Sequence, residues 1–222
     1  MNLSIVREGG RHTLDDTAIV RRILQGEKAM FEILMRRHNQ KLYRVIRGYL
    51  REEEDVADAM QDTYLKVFAR LDQFRGEAAF STWLIRIGIN EALLRLKRNK
   101  VRSLHSSESD ISSDQIIQLT DGAQMNPEKL VIRQEAKKLL EQAVDELPQK
   151  YKTIYILKEI EGMDNGEIAQ CLGLTESNVK VRIHRSRALI KESLLELAKD
   201  AQVFEFGNHR CDALVQFVMQ RI

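Results

Sequence analysis

The stretch from Asp164 to Lys191 constrains the fold of this chain more than any other, because it dictates two helices joined at a single glycine. Asp164 stands three residues before Glu167, the spacing at which an N-cap carboxylate and a first-turn carboxylate each accept a backbone N–H. Ile168, Ala169 and Leu172 give that helix a buried side, and Gly173 supplies the left-handed residue that ends it. Thr175 then caps a second helix, which meets neither Gly nor Pro before about Ala198. Val179, Ile183, Ile190, Leu194 and Leu197 recur with helical spacing and share one face. Lys180, His184, Arg187 and Lys191 share another, flanked by Arg182 and Arg185. From Glu176 to Lys191, five Lys/Arg stand against one Glu. A short helix, a glycine turn and a basic helix are the parts that major-groove reading requires. Side chains near the helix N-terminus reach base edges, while Arg, Lys and backbone N–H groups hold phosphates. A charge run is more often a solvated face, but paired caps and a one-sided basic stripe argue here for a DNA reader.

The rest of the chain is consistent with an all-α protein. Only two prolines interrupt 222 residues, of which 43% are hydrophobic and 31% charged, so the chain is globular rather than disordered. A net charge of +2 does not by itself announce nucleic acid; the distribution must do so. No run of about eighteen apolar residues occurs, so no membrane insertion is expected. The start, MNLSIVREGGRHTLDD, has no apolar core of a secretory signal. Cys171 and Cys211 are too few and too isolated for a disulfide framework, and the expected location is a reducing cytoplasm.

Charge and composition divide the chain. Residues 1–14 form an N-terminal extension, and residues 15–102 are helix-rich and end in a basic stretch. Residues 103–127 contain six serines and four acids with no Lys or Arg, and read as a flexible acidic linker. A second helical block spans 128–200, and residues 201–222 form a tail expected to be helical.

Three features mark the first block. Phe31, Leu34, Met35, Leu42, Val45, Ile46 and Leu50 make an amphipathic helix pair or one long helix. Val56, Met60, Thr63, Tyr64 and Val67 then share one face of a helix whose outer side carries Glu53, Glu54, Asp55, Asp58 and Asp62. Acids early in a helix complement its dipole, yet five exceed what capping needs and fit a docking surface for a basic partner. Finally, Phe74, Phe80 and the only tryptophan, Trp83, cluster around Gly76. Arg86, Arg95, Lys97, Arg98, Lys100 and Arg102 follow, opposed by Glu91 alone. Aromatics beside a basic helix can stack splayed bases and track a single strand. Phe80 and Trp83 are expected to be mostly packed, with the loop between Phe74 and Ser81 as the exposed part.

Two strings carry a family resemblance: DVADAMQDTYLKVFARLDQFRGEAAFSTWLIRIGINEALLRLKR and LPQKYKTIYILKEIEGMDNGEIAQCLGLTESNVKVRIHRSRALIK. Together they resemble the bacterial extracytoplasmic-function (ECF, group IV) sigma factors of RNA polymerase, over nearly all of residues 15–197. The resemblance implies a sigma-2-like helical bundle and a sigma-4-like helix-turn-helix domain joined by the linker. It implies that Asp55, Asp58, Gln61 and Asp62 dock on the β′ clamp helices of core RNA polymerase. Phe74, Arg75, Phe80 and Trp83 fall where the family melts and reads the −10 element of promoter DNA. Asn90, Arg95 and Arg98 fall where it contacts that strand and the upstream duplex. Leu147 to Gly162 would pack on the β flap tip, and the linker would thread the polymerase channels. Lys180, His184 and Arg185 become the best candidates for reading the −35 element, with Ser177, Arg182 and Arg187 beside them. An anti-sigma factor is expected as a further partner.

No nucleophile–base pair, phosphate loop or metal motif stands out, so neither catalysis nor a cofactor is expected. His209 and Cys211 in the tail are only two ligands, and zinc normally takes four. Two other classes compete. A stand-alone helix-turn-helix regulator would leave the aromatic loop without a purpose. A nuclease or integrase fragment would need clustered carboxylates for metal ions, whereas the acids here lie along a helix surface.

Overall fold

The computed structural model describes residues 14–105, 127–199 and 219, and side-chain packing within 14–100 and 134–197. Nearly all of the N-terminal extension, most of the acidic linker and nearly all of the tail, including His209 and Cys211, lie outside the described residues. Among the described residues, eight α-helices run in order: α1 (Asp16–Leu24), α2 (Phe31–Arg47), α3 (Glu53–Ala69), α4 (Phe80–His105), α5 (Pro127–Glu146), α6 (Gln149–Tyr155), α7 (Asn165–Leu172) and α8 (Glu176–Lys199). The described residues contain no strand. The apolar period of the first block resolves into one long helix, α2, with Leu50 buried in the turn beyond it. Helix α4 reaches His105, so the start of the expected linker is helical.

Helices α2, α3 and α4 bury their periodic faces together. Leu34, Leu42 and Ile46 of α2 meet Val56, Ala59 and Val67 of α3 and Leu84 and Ala92 of α4 in one core. Removing each large side chain from water contributes roughly 1.5–3 kcal/mol. Gly88 permits the close crossing of α4 on α2, since a Cβ there would lie 2.6 Å from Leu42 Cδ1. The N-terminal helix is tied on by polar contacts: His38 Nε2 and Asp16 Oδ2 are 2.8 Å apart, and Arg37 pairs with the same carboxylate.

Packing does not follow the linker. Residues Leu147–Ser186, comprising α6, α7 and the first turns of α8, form one compact unit with the first block. The Cys171 thiol donates to the Thr82 carbonyl at 3.4 Å, and the Thr82 hydroxyl donates to Glu167 Oε1 at 3.1 Å. Gln149 Nε2 donates to the Gly48 carbonyl at 3.0 Å. Burial pushes the Cys171 thiol up to about 12, and nearby Glu167 adds to the shift. Helix α5 and the remainder of α8 make a second unit. Within it, the Ser193 hydroxyl donates to Glu146 Oε2 at 2.6 Å.

Candidate nucleic-acid interface

The helix-turn-helix forms as its caps require. Asp164 Oδ1 accepts the Glu167 N–H at 2.7 Å, and Glu167 Oε2 accepts the Asp164 N–H at 3.0 Å, closing the reciprocal box. Gly173 ends α7 at φ 64°, ψ 38°, the left-handed conformation that costs a side-chain-bearing residue about 1–2 kcal/mol. Thr175 Oγ1 accepts the Asn178 N–H at 3.3 Å and starts α8. Val179, Ile183 and Ile190 are buried as the period demands. Ser186 is buried with them, its hydroxyl returned to the Ile183 carbonyl at 2.8 Å. Apolar periodicity passes over Ser186 because it is polar, although it occupies the vacant step between Ile183 and Ile190.

Opposite this seat, Ser177, Lys180, His184, Arg185 and Arg187 are exposed on one side of α8. Arg182 is only half-exposed. It lines a cleft of about 400 Å³ with Tyr49, Asn90, Gln149 and Leu174, so it leaves the exposed basic face.

In the first block, the aromatics pack together, with Phe74 edge to face on Phe80 and tilted against Trp83. Phe74 lies 5.6 Å from Phe80 and 5.5 Å from Trp83 between ring centroids. Phe80, at 2% exposure, is core and presents no surface to DNA. Its place among the −10 candidates is therefore corrected: it supports the half-buried Phe74 and Trp83 rather than meeting a base. Arg75, Gly76, Glu77 and Ala79 form the exposed loop that the sequence anticipates.

The basic end of α4 is less open than its composition suggests. Asn90 and Arg98 are exposed. Arg95 Nη1 instead donates to Asp58 Oδ2 at 2.8 Å and to Asp55 Oδ1 at 3.3 Å across to α3. Asn99 Nδ2 donates to the other Asp55 oxygen at 2.6 Å. The hydrogen bond to Asp58 raises the Arg95 pKa further, with the charges of Asp58, Asp55 and Asp62 adding to it. One turn earlier, the buried Glu91 pairs with Lys66 of α3. Two of the acids expected to face a partner thus also hold an expected DNA contact. Gln61 is exposed and Asp62 half-exposed beside them.

Beside these acids Leu65 is 69% exposed, and Phe68 also reaches the surface. Sequence periodicity alone misses Leu65, since it is simply off the buried face. An exposed leucine rimmed by acids has the make-up of an interface. The segment from Leu147 to Gly162 shows the reverse. Leu147, Ile154, Ile156 and Leu157 are buried in their own unit, leaving Ile160 as its exposed large apolar residue.

Among the described residues, no group of three or more His, Cys, Asp or Glu is placed to hold a metal ion, and no helix is long and apolar enough to cross a membrane.

Comparison with known proteins identifies the family. Residues 34–102 match the family model "Sigma-70 region 2" and residues 137–190 match "Sigma-70, region 4". The chain is similar to the RNA polymerase sigma-H factor of Pseudomonas aeruginosa, 28% identical over 84% of this chain and 97% of that protein. It is also similar to the ECF RNA polymerase sigma-E factor of Haemophilus influenzae, 29% identical over 83% and 97% respectively. Among solved structures, CnrH in complex with the cytosolic domain of CnrY matches with TM-score 0.56 and 26% identity, over 85% of this chain and 99% of that one. The sigma factor RpoE in complex with the anti-sigma factor NepR from Bartonella quintana shares the fold, with TM-score 0.61 and 20% identity over 74% and 96%. Both sigma-70 regions in their expected order, together with relatives named as sigma factors along nearly their whole length, exclude a stand-alone regulator. The chain belongs to the ECF sigma factors of RNA polymerase.

Proposed function

We propose that this chain reads promoters in two halves, with the exposed basic face of α8 taking the −35 duplex and the loop before α4 taking the −10 strand. The observation that carries this reading is the pairing of opposite surfaces in one chain. An acidic face with an exposed leucine lies on α3, and an uncovered basic face lies on a capped helix-turn-helix. Asp58, Gln61, Asp62 and Leu65 dock on the β′ clamp helices, and Ile160 is the apolar contact toward the β flap. Lys180, His184 and Arg185 read bases or adjacent phosphates. Phe74, Trp83 and Arg75 capture an unpaired base, and its stacking against them offsets an unstacking cost of a few kcal/mol.

In this reading residues 15–102 serve docking and melting, 103–127 thread the polymerase, and 128–200 serve upstream recognition. Residues 1–14 and 201–222 are extensions. The chain itself catalyses nothing and works in the cytoplasm. Control by an anti-sigma factor is supported by the structures of CnrH with CnrY and of RpoE with NepR. Run-off transcription with core RNA polymerase tests the proposal. The expected result is a promoter-dependent transcript only when the chain is added; no transcript on any template, with normal binding to core, would overturn it.

A further inference from the structure

We propose that Asp55 and Asp58 are positioning residues that restrain Arg95 in the free chain, and that a basic partner surface engaging Asp58 releases this guanidinium to a DNA phosphate. The inference rests on the docking role given above to the acidic face.

The geometry makes the restraint specific. Arg95 spends one nitrogen on both carboxylates, at 2.8 Å to Asp58 and 3.3 Å to Asp55, and its side chain is only 19% exposed. Asp55 is the inner anchor, 26% exposed and braced from its other oxygen by Asn99. Asp58 is the outer one, 56% exposed and open to a competitor. A cation from a partner would meet Asp58 first and weaken the shorter of the two bonds. Arg95 would then keep only its longer contacts to Asp55, at 3.3 Å to Oδ1 and 3.4 Å to the backbone carbonyl. Its neighbour one turn on, Arg98, is already exposed, so a swing of the guanidinium outward extends an existing basic edge. A phosphate suits the released group, because a guanidinium matches its paired oxygens in the same forked geometry it uses on carboxylates. Docking and strand capture are thereby linked through one side chain.

The linkage is testable with the full chain and no polymerase. A fluorescent single strand of twenty thymidines reports phosphate contact without a known promoter. Asp58→Asn keeps the shape of the side chain and removes its charge. It is expected to tighten binding roughly five- to tenfold near 50 mM salt and to steepen the salt dependence by about one phosphate contact. The gain should vanish in Asp58→Asn/Arg95→Ala. Glu54→Gln removes the same charge nearby without touching Arg95, and should give clearly less. Thermal melting of each variant separates these effects from misfolding. An unchanged affinity in Asp58→Asn, or a gain that persists without Arg95, overturns the proposal. Titrating Asp58→Asn against core RNA polymerase distinguishes the two readings. Normal core affinity alongside the Arg95-dependent gain removes Asp58 from docking but leaves the restraint intact, whereas weakened core affinity with no gain does the reverse.

Discussion

The two basic stretches of this chain have similar composition and opposite deployment. On α8, Lys180, His184 and Arg185 stand exposed on a face whose neighbours are also basic. On α4, Arg95 is turned back onto Asp55 and Asp58, and the acid in the stretch, Glu91, is buried against Lys66. The first surface is held by apolar seating beneath it and left open above. The second is also seated on apolar core, but Asp55 and Asp58 occupy its Arg95 while Arg98 stays exposed. A basic run therefore says where DNA contact is possible, while the acids packed beside it decide which of its cations are already engaged.

The difference can be broken most strongly from beneath α8. Ile183→Ala, which removes a buried anchor of that helix, should cost about 2–5 kcal/mol of stability. Thermal or urea melting would show it, and an effect below about 1 kcal/mol would mean that α8 is not seated as described. The corresponding change at the charged seam is Lys66→Met. It leaves the buried Glu91 carboxylate without its cation and should cost about 1–3 kcal/mol. An increase in stability would show that the seam is dispensable to the fold.

Asp164→Ala removes one half of the reciprocal cap and should cost about 0.5–2 kcal/mol, while Asp164→Asn should recover most of it. Equal losses in both variants would place the effect elsewhere than the cap. The smallest effect is alkaline. An unfolded cysteine ionises near 8.5, while the folded Cys171 thiol is pushed up to about 12. The native state thus binds the proton longer. Its advantage is complete below about pH 8.5 and is lost as pH rises toward 12. Against Cys171→Ala, the wild-type chain should lose somewhat less than ~1 kcal/mol by pH 9. Parallel pH profiles would show that the thiol is not held away from water.

Much of this was legible in the sequence, for reasons that differ by region. The Asp164–Glu167 box, Gly173 and Thr175 are local devices whose partners lie within four residues, so spacing alone reveals them. The faces of α2 and α3 follow from periodicity in the same way. What sequence could not show are pairings at long separation. Arg95 and Asp58 lie 37 residues apart, and Thr82 and Glu167 lie 85 apart. Counting charges marks Arg95 as a DNA contact and Asp58 as a docking acid, but not that each occupies the other. Phe80 is legible as packed yet also counts among the −10 contacts by resemblance, and its burial resolves the conflict. Leu65 escapes notice because periodicity selects for burial, and interface residues are those that depart from it.

Bipartite reading requires one chain to engage two separated elements through two independent surfaces. Run-off transcription by reconstituted polymerase, on templates altered at the upstream element, the downstream element or both, tests this when wild-type and Arg185→Ala chains are compared. Each alteration should lower transcription by the wild-type chain, and Arg185→Ala should lose discrimination at the upstream element while keeping it at the downstream one. Discrimination by Arg185→Ala that falls equally at both elements, or a wild-type chain indifferent to either alteration, would contradict bipartite reading.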